Sequence, residues 1–506
     1  MSNTWTADEI RRVGRLVVDL IADHLSKLPD GPVFRPVPPE RARQFLATPV
    51  PADPVSPDEI LRLFQDAIEQ YPFGNGHPRF WGWVNSPPAV MGIFADALAA
   101  AMNPSCAGGN HAAIHVEHQV IGWFREMLGF PASSTGLLVS GGSMATMTAL
   151  AVARYVKSGV DVRVNGLRDA PTPFGFYMSS EGHSCARKAI ELLGFGSAAI
   201  RTIPTGDDYR MNVDALAAAV TDDRARGIGP IAVIASGGTT NTGAIDDLPA
   251  IAEVCRRHDV WLHVDAAYGG PAILTAEYNR ALSGIAHADS VALDPHKWMF
   301  VPVEAGLVLV RDAEAMRSAF SLVPPYIRQS GSAGDVYGPP WFSEYGFQQT
   351  RGFRALKVWM TMQQFGISGY KAVIEENLAL AAYLADRVRD APDLELMAPP
   401  SLSVVCFRFV AKSSAGLPPS LKLRRTAEAL AEAGQACGDR GEDSIAALNR
   451  KLLERLQLGG EAFLTSTELR GRFTLRACIV NYRSRREDID RMLGAVETIG
   501  RELAKI

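Results

Sequence analysis

The chain has 506 residues, 47% of them hydrophobic and 21% charged, with a formal net charge of −4. This is the balance of a globular protein with a sizeable core, and it gives no basis for a nucleic-acid or anionic-membrane partner. By length it holds about three domains, or one large enzyme body with appendages. No apolar run is long enough to span a bilayer, and the first residues lack the basic start and apolar stretch of a secretory signal. The six cysteines (Cys106, Cys185, Cys255, Cys406, Cys437, Cys478) include no C-x-x-C pair. No metal site is expected, and reduced thiols in a cytoplasmic protein are the simpler account.

Ile10, Val13, Leu16, Val17, Leu20, Ile21, Leu25 and Leu28 predict an amphipathic helix over residues 7–28, with Asp8 and Glu9 favouring its first turn. The proline-rich stretch 29–57 is expected to be an extended arm without regular helix or central strand. A helix with such an apolar face needs a partner, so the arm is expected to wrap a neighbouring subunit.

From about residue 75 short apolar strands alternate with helices. Strands are expected at 136–140, 174–179, 231–235, 260–264 and 306–310, and helices at 143–156, 185–193 and 246–257. This alternation argues for a largely parallel sheet covered on both faces, with ligands at the carboxyl ends of the strands. The glycine-rich loop 330–340 suits a mobile lid or an ordinary surface loop. Helical stretches follow at 354–365 and 373–389, then strands at 402–409 and 473–479 and a closing helix at 485–503. Residues 411–440, rich in Ala, Gly and Ser, read as a flexible insertion. The expected division is an N-terminal helical arm (1–75), a large domain (76–375) and a small C-terminal α+β domain (376–506).

Two segments carry the main chemical signal. Lys297 ends Asp294-Pro295-His296-Lys297, and upstream Asp265 lies in His263-Val264-Asp265-Ala266-Ala267. An amine that condenses with an aldehyde and a carboxylate that holds a pyridinium nitrogen are what a pyridoxal 5'-phosphate (PLP) enzyme needs. Alone each is weak, since an exposed lysine is usually just solvated and an aspartate after a strand usually a cap. The pair in this order is more specific. Lys297 must be partly unprotonated to react, so desolvation and a cationic ring are expected to lower its pKa. Small Ala266 and Ala267 would let a ring lie flat.

Ser140-Gly141-Gly142-Ser143 joins a predicted strand to a helix, which suits either an anion site or a simple cap; no Gly-Lys-Ser/Thr follows, so it is not a P-loop. His296 reads as a phosphate donor or a structural histidine. His183 reads as a ring-stacking group or a core histidine. Residues 239–243 (Thr-Thr-Asn-Thr-Gly) read as hydroxyls near the cofactor or as a turn.

Together these residues resemble the group II PLP-dependent decarboxylases, the family of aromatic-L-amino-acid decarboxylase. The segments that carry the resemblance are His77-Pro78-Arg79-Phe80, Gly142-Ser143, 180–183, Gly238-Thr239-Thr240, 263–268, 294–298 and 351–357. The resemblance runs from about residue 8 to the end. It implies a fold type I α/β architecture, a mostly parallel seven-stranded sheet with helices on both faces, and a homodimer with the active site at the subunit interface. It implies Lys297 as the lysine bound to PLP, Asp265 as the pyridinium partner and His183 as the stacking histidine. Gly142, Ser143, His296 and Asp294 fall at phosphate contacts, and Thr240 and Ala267 around the ring. Asp294 stands where relatives often have Asn or Ser, and a carboxylate beside a phosphate is unfavourable unless protonated or turned away.

Tyr326 aligns with a mobile-loop tyrosine that returns a proton to the substrate carbon from the other subunit. Relatives with Phe there tend to be aldehyde synthases. Phe80, Trp83 and Ser86 fall at the substrate wall; Trp83 would suit an indole or phenol ring, and equally an aliphatic chain. The expected reaction is decarboxylation of an aromatic L-amino acid (Trp, Tyr, Phe or dopa-like) to the amine and CO2. The alternatives are an oxidative aldehyde synthase, a decarboxylase of non-aromatic amino acids, an aminotransferase, and a PLP-binding protein without turnover.

Overall fold

The computed structural model describes residues 4–168, 170, 172–322, 338–411 and 439–505. Tyr326, the glycine-rich residues 330–337 and most of the 411–440 insertion lie outside the described residues. The chain forms two compact units. One comprises Met1–Trp83, Tyr383–Met397 and Cys406–Ile506; the other comprises Val84–Ala382 and Ala398–Val405.

The first helix, α1 (Ala7–Lys27), starts with a capping box. The Thr6 hydroxyl accepts from Glu9 N–H at 3.2 Å, and the Glu9 carboxylate accepts from Thr6 N–H at 2.7 Å. No residue of α1 is buried, and Ile10 on its apolar stripe is 58% exposed. The proline-rich stretch corrects the expectation of a helix-free arm. It contains α2 (Pro39–Ala47), because Pro38 and Pro39 fall at the N-cap and first helical position, where no intrahelical N–H is required. Then α3 (Pro57–Phe64) starts at Ser56, whose hydroxyl accepts from Glu59 N–H.

The large unit is built on a seven-stranded sheet. Its strands are β1 (Thr135–Val139), β2 (Phe174–Ser179), β3 (Ile200–Ile203), β4 (Gly229–Ser236), β5 (Trp261–Asp265), β6 (Ser290–Leu293) and β7 (Gly306–Val310). The order is β1-β7-β6-β5-β4-β2-β3. Strands β2 to β6 pair in parallel, and β7 runs antiparallel to both β1 and β6. Strands β6 and β7 are buried along their whole length, so both faces of the sheet are covered. Helix α4 (Ala112–Leu128) precedes β1. The crossovers are α5 (Gly142–Lys157) after β1, α6 (Ser184–Leu192) after β2, α7 (Val213–Ala225) after β3 and α8 (Leu248–Arg257) after β4. Parallel pairing brings the ends of β2, β4, β5 and β6 to one edge, and antiparallel β7 begins there.

Beyond the sheet, α9 (Arg354–Asp390) is kinked at Gly366, whose φ of 62° is left-handed. The C-terminal part has a four-stranded sheet of β8 (Leu394–Leu396), β9 (Val404–Phe409), β10 (Thr465–Leu469) and β11 (Arg472–Cys478), in the order β10-β11-β9-β8. Two further helices are α10 (Asp439–Leu458) and α11 (Arg486–Leu503). Among the described residues no helix is long and apolar enough to cross a membrane.

Candidate active site

The strand ends of the large sheet surround a cavity of about 370 Å³. After β1 the chain turns through Ser140-Gly141-Gly142 into α5. The first intrahelical bond runs from Ala145 N–H to Gly141 O at 2.9 Å, so the N–H groups ahead of it have no acceptor within the helix. Two glycines let neighbouring backbone and side chains close on this turn. A Cβ on Gly306 would lie 2.4 Å from Gly141 Cα, so β7 could not start this close with any other residue. A Cβ on Gly142 would lie 3.0 Å from Asp294 Oδ2 and 3.1 Å from Ala267 Cβ. The helix start therefore faces a small cradle, as an anion site requires.

Asp265 ends β5 and pairs in register with Ser236 at the end of β4. Its Oδ1 accepts from Ala267 N–H at 3.1 Å, which fixes the carboxylate. His183 caps α6, and its Nδ1 accepts from Cys185 N–H at 3.3 Å. This places the ring proton on Nε2. Polar atoms of His183, Cys185 and Asp265 all lie within 4.8 Å of one another. Burial, aided by the Asp265 charge, pushes the Cys185 thiol up to about 12.

Lys297 Nζ lies 3.0 Å from Asp294 Oδ2. Burial by itself would lower the pKa of this lysine, but the Asp294 and Asp265 carboxylates outweigh it and hold the ammonium above its ordinary value. Burial acts in the expected direction, but two nearby anions stabilise the charged form more than burial penalises it. His296 Nδ1 lies 2.7 Å from Ala305 O, and its Nε2 lies 3.8 Å from Asp294 Oδ2. Burial pushes His296 below its ordinary pKa. Nδ1 also accepts from Ala305 N–H at 3.2 Å; with the ring proton on Nε2, the neutral imidazole donates from Nε2 to a phosphate.

Lys297, Asp265, His183, Gly142, Ser143, Thr240, Ala267, His296 and Asp294 all line the cavity. The segment 239–243 serves as both turn and lining. Thr239 and Thr242 bond each other at 3.0 Å within the turn, and Thr239 and Thr240 both line the cavity. Ser86 sits behind the lining, its hydroxyl donating to His296 O at 3.3 Å. Phe80 and Trp83 belong to the other unit. There Phe80 stacks on Phe463 with centroids 4.9 Å apart, and Trp83 stacks on Phe73 at 5.4 Å.

Sequence reasoning missed Ser236, Cys185, Glu181 and Glu304, which also line the cavity. Ser236 is placed by its register with Asp265, and Glu304 by the reversal of β7. Glu304 pairs with Arg354 at 2.9 Å. Neither residue lies in a motif that sequence alone could read.

These residues fit PLP. The cradle ahead of α5 would take the phosphate, Lys297 the aldehyde and Asp265 the ring nitrogen. Residues 39–410 match the pyridoxal-dependent decarboxylase conserved domain. The chain belongs to this family. It is a PLP-dependent amino-acid decarboxylase with a fold type I architecture. Its curated relatives include aromatic-L-amino-acid decarboxylase from Bacillus atrophaeus, 34% identical over 99% of this chain and 97% of the relative. Another is L-2,4-diaminobutyrate decarboxylase from Rhizobium meliloti, 33% identical over 85% of this chain and 79% of the relative. A crystal structure of Oryza sativa TDC with PLP and tryptamine has a TM-score of 0.87 at 26% identity, covering 99% of this decarboxylase and 100% of that chain.

Proposed function

We propose that this decarboxylase acts on aromatic L-amino acids, releasing CO2 and the corresponding amine, as a homodimer to which the partner subunit contributes Tyr326. The observation that carries the site assignment is the convergence of Lys297, Asp265, His183 and the start of α5 on one cavity. Likeness along nearly the whole chain to an aromatic-L-amino-acid decarboxylase supports the substrate class. The exposed apolar stripe of α1, with Ile10, Leu16, Val17 and Val18, supports a second copy as its cover.

Bound PLP supplies an electron sink for the bond from the α carbon to the carboxylate. The protein's own residues do the rest. Lys297 would supply the amine that holds the cofactor aldehyde. Asp265, fixed by Ala267 N–H, keeps a proton on the ring nitrogen. The N–H groups and the Ser143 hydroxyl at the start of α5 receive the phosphate, while Thr240 and Ala267 pack about the ring. His183, with its proton on Nε2, covers the ring face. The partner subunit's Tyr326 gives the proton that the α carbon takes up once CO2 has left.

An amine-product screen by mass spectrometry over Trp, Tyr, Phe, dopa, His, Glu, 2,4-diaminobutyrate and branched aliphatic amino acids tests the substrate. The highest kcat/KM is expected for an aromatic amino acid. A preference for diaminobutyrate or Glu would overturn that reading, and aldehyde with peroxide and ammonia would replace it with oxidative synthesis. Mixing Lys297→Ala subunits with Tyr326→Phe subunits should restore amine formation through hybrid dimers. No recovery would remove the shared site.

A further inference from the structure

Asp294 is not turned away from the cradle. It is 2% exposed, with Oδ2 3.0 Å from Lys297 Nζ and Oδ1 without a hydrogen-bond partner. A Cβ built on Gly142 would lie 3.0 Å from Oδ2, and one built on Gly141 would lie 3.9 Å from Oδ1. The carboxyl group therefore faces the first turn of α5, where a phosphate would rest.

Beyond the N–H groups and the Ser143 hydroxyl at the start of α5, few groups around it can offset a second anion. Lys297 is the one lysine or arginine lining the cavity among the described residues, and its charge already faces both Asp294 and Asp265. His296 on the same segment is held towards its neutral form by burial, as is the Cys185 thiol on α6. His183 lines the cavity from the start of α6, and the remaining titratable lining groups, Glu181, Glu304 and Tyr268, carry no positive charge. Two anions in contact at a buried site cannot both stay fully charged; one takes a proton.

We propose that Asp294 is the proton-carrying partner of the cofactor phosphate. The protein takes up one proton as the phosphate enters, the proton resides on Asp294, and Oδ1 changes from an orphan acceptor into a donor to a phosphate oxygen. Asp294 then acts as a positioning residue that makes phosphate recognition depend on pH, and this rests on the cavity being the PLP site.

The test uses the cofactor-free protein and pyridoxine 5'-phosphate, which carries ring and phosphate but no aldehyde, so Lys297 is not consumed. Calorimetric titrations span pH 6.5 to 8.5. The ligand's own second ionisation, near about 6, contributes equally to every protein compared. In the wild type, affinity is expected to fall by up to about tenfold per pH unit, the signature of one linked proton. Asp294→Asn should bind more tightly at pH 8.5 and show a shallower slope. The phosphorus NMR shift of the bound ligand should be that of a dianion although a proton has been taken up. Equal slopes in the two proteins, or the shift of a monoanion, would overturn the proposal. If the Asn variant does not fold, wild-type titrations in two buffers of different ionisation enthalpy decide alone, and zero proton uptake overturns it. Absence of binding by either protein at any pH would instead overturn the reading of the cavity as the PLP site.

Discussion

Asp265 and Asp294 follow neighbouring parallel strands, lie close to the same lysine, and are held in opposite ways. Asp265 at the end of β5 has an anchored oxygen, bonded by Ala267 N–H. Asp294 just beyond β6 is almost wholly buried, with one oxygen on Lys297 and the other on nothing. A fixed carboxylate suits a permanent cationic partner such as a ring N–H. An orphaned carboxyl oxygen beside an anion cradle suits a group that changes protonation. The difference teaches that two acids of the same type at one sheet edge can serve opposite ends of a cofactor, according to what their second oxygen meets.

The largest effect should come from the residue between them. Lys297→Ala is expected to lower turnover by about 10⁴-fold or more, as loss of a covalent-catalysis group does. It should also remove the visible absorbance of the lysine-bound cofactor. Turnover within tenfold of the wild type would show that neither carboxylate is paired with the catalytic amine.

Asp265→Ala comes next, with a loss of about 10² to 10³-fold in kcat. Asp265→Glu should recover part of it, since the charge returns at a shifted position. If the alanine variant kept wild-type kcat, the ring end of the comparison would fail.

A third buried carboxylate shows what full satisfaction looks like. Glu117 on α4 pairs with Arg351, and both side chains are at most 2% exposed. Glu117 also accepts from Leu138 N–H at 3.1 Å, and Arg351 donates to Leu138 O at 2.7 Å, so the pair clamps the end of β1 before the cradle. Arg351→Met leaves Glu117 buried without its counter-charge and should cost about 3–5 kcal/mol of stability. Urea unfolding measures this, and a loss below about 1 kcal/mol would mean that water or another cation replaces the arginine.

The smallest effect concerns the support beneath both acids. His263 in β5 bonds Ser290 of β6 at 2.9 Å and Thr146 of α5 at 3.3 Å. It thereby ties together the elements that carry Asp265, Asp294 and the cradle. Burial pushes His263 down to about 4. In the unfolded chain a histidine gains its proton near about 6.5. Between these values the unfolded state binds more protons, so stability is full above about 6.5 and is lost as pH falls towards 4. Thermal melts of wild type and His263→Asn over this window should differ in slope, by about 1–3 kcal/mol in total. Parallel curves would mean that His263 is already charged in the folded protein.

Most strands and helices of the large sheet were legible because each carries its own signal. The apolar run 260–264 and the helix through Cys185 need no tertiary information to be read. The gaps have physical causes. Strand β3 contains Arg201 and Thr202, and β6 has only four residues, so neither forms a long apolar run. Helix α2 was hidden because prolines signal a break in a helix interior but a start at its first turn. In the site, Lys297 and Asp265 were legible because residue type and order constrain their chemistry, whereas His183 and Gly142-Ser143 stood out only through the family resemblance. Ser236 and Glu304 were not, since strand register and the reversal of β7 bring them in.

The sequence by itself determined which groups are available: one lysine and one aspartate in the order a PLP enzyme needs, a glycine turn opening a helix, and a histidine after a strand. Local propensity and residue chemistry act over a few positions, so they can be read from the chain. Only the tertiary structure decided the charge state of those groups. Asp294 and Asp265 raise the pKa of Lys297 although burial alone would lower it, and the orphaned oxygen of Asp294 exists only because β6 delivers it against the first turn of α5. Electrostatic and desolvation terms depend on distances between residues far apart in sequence, and folding alone sets those distances.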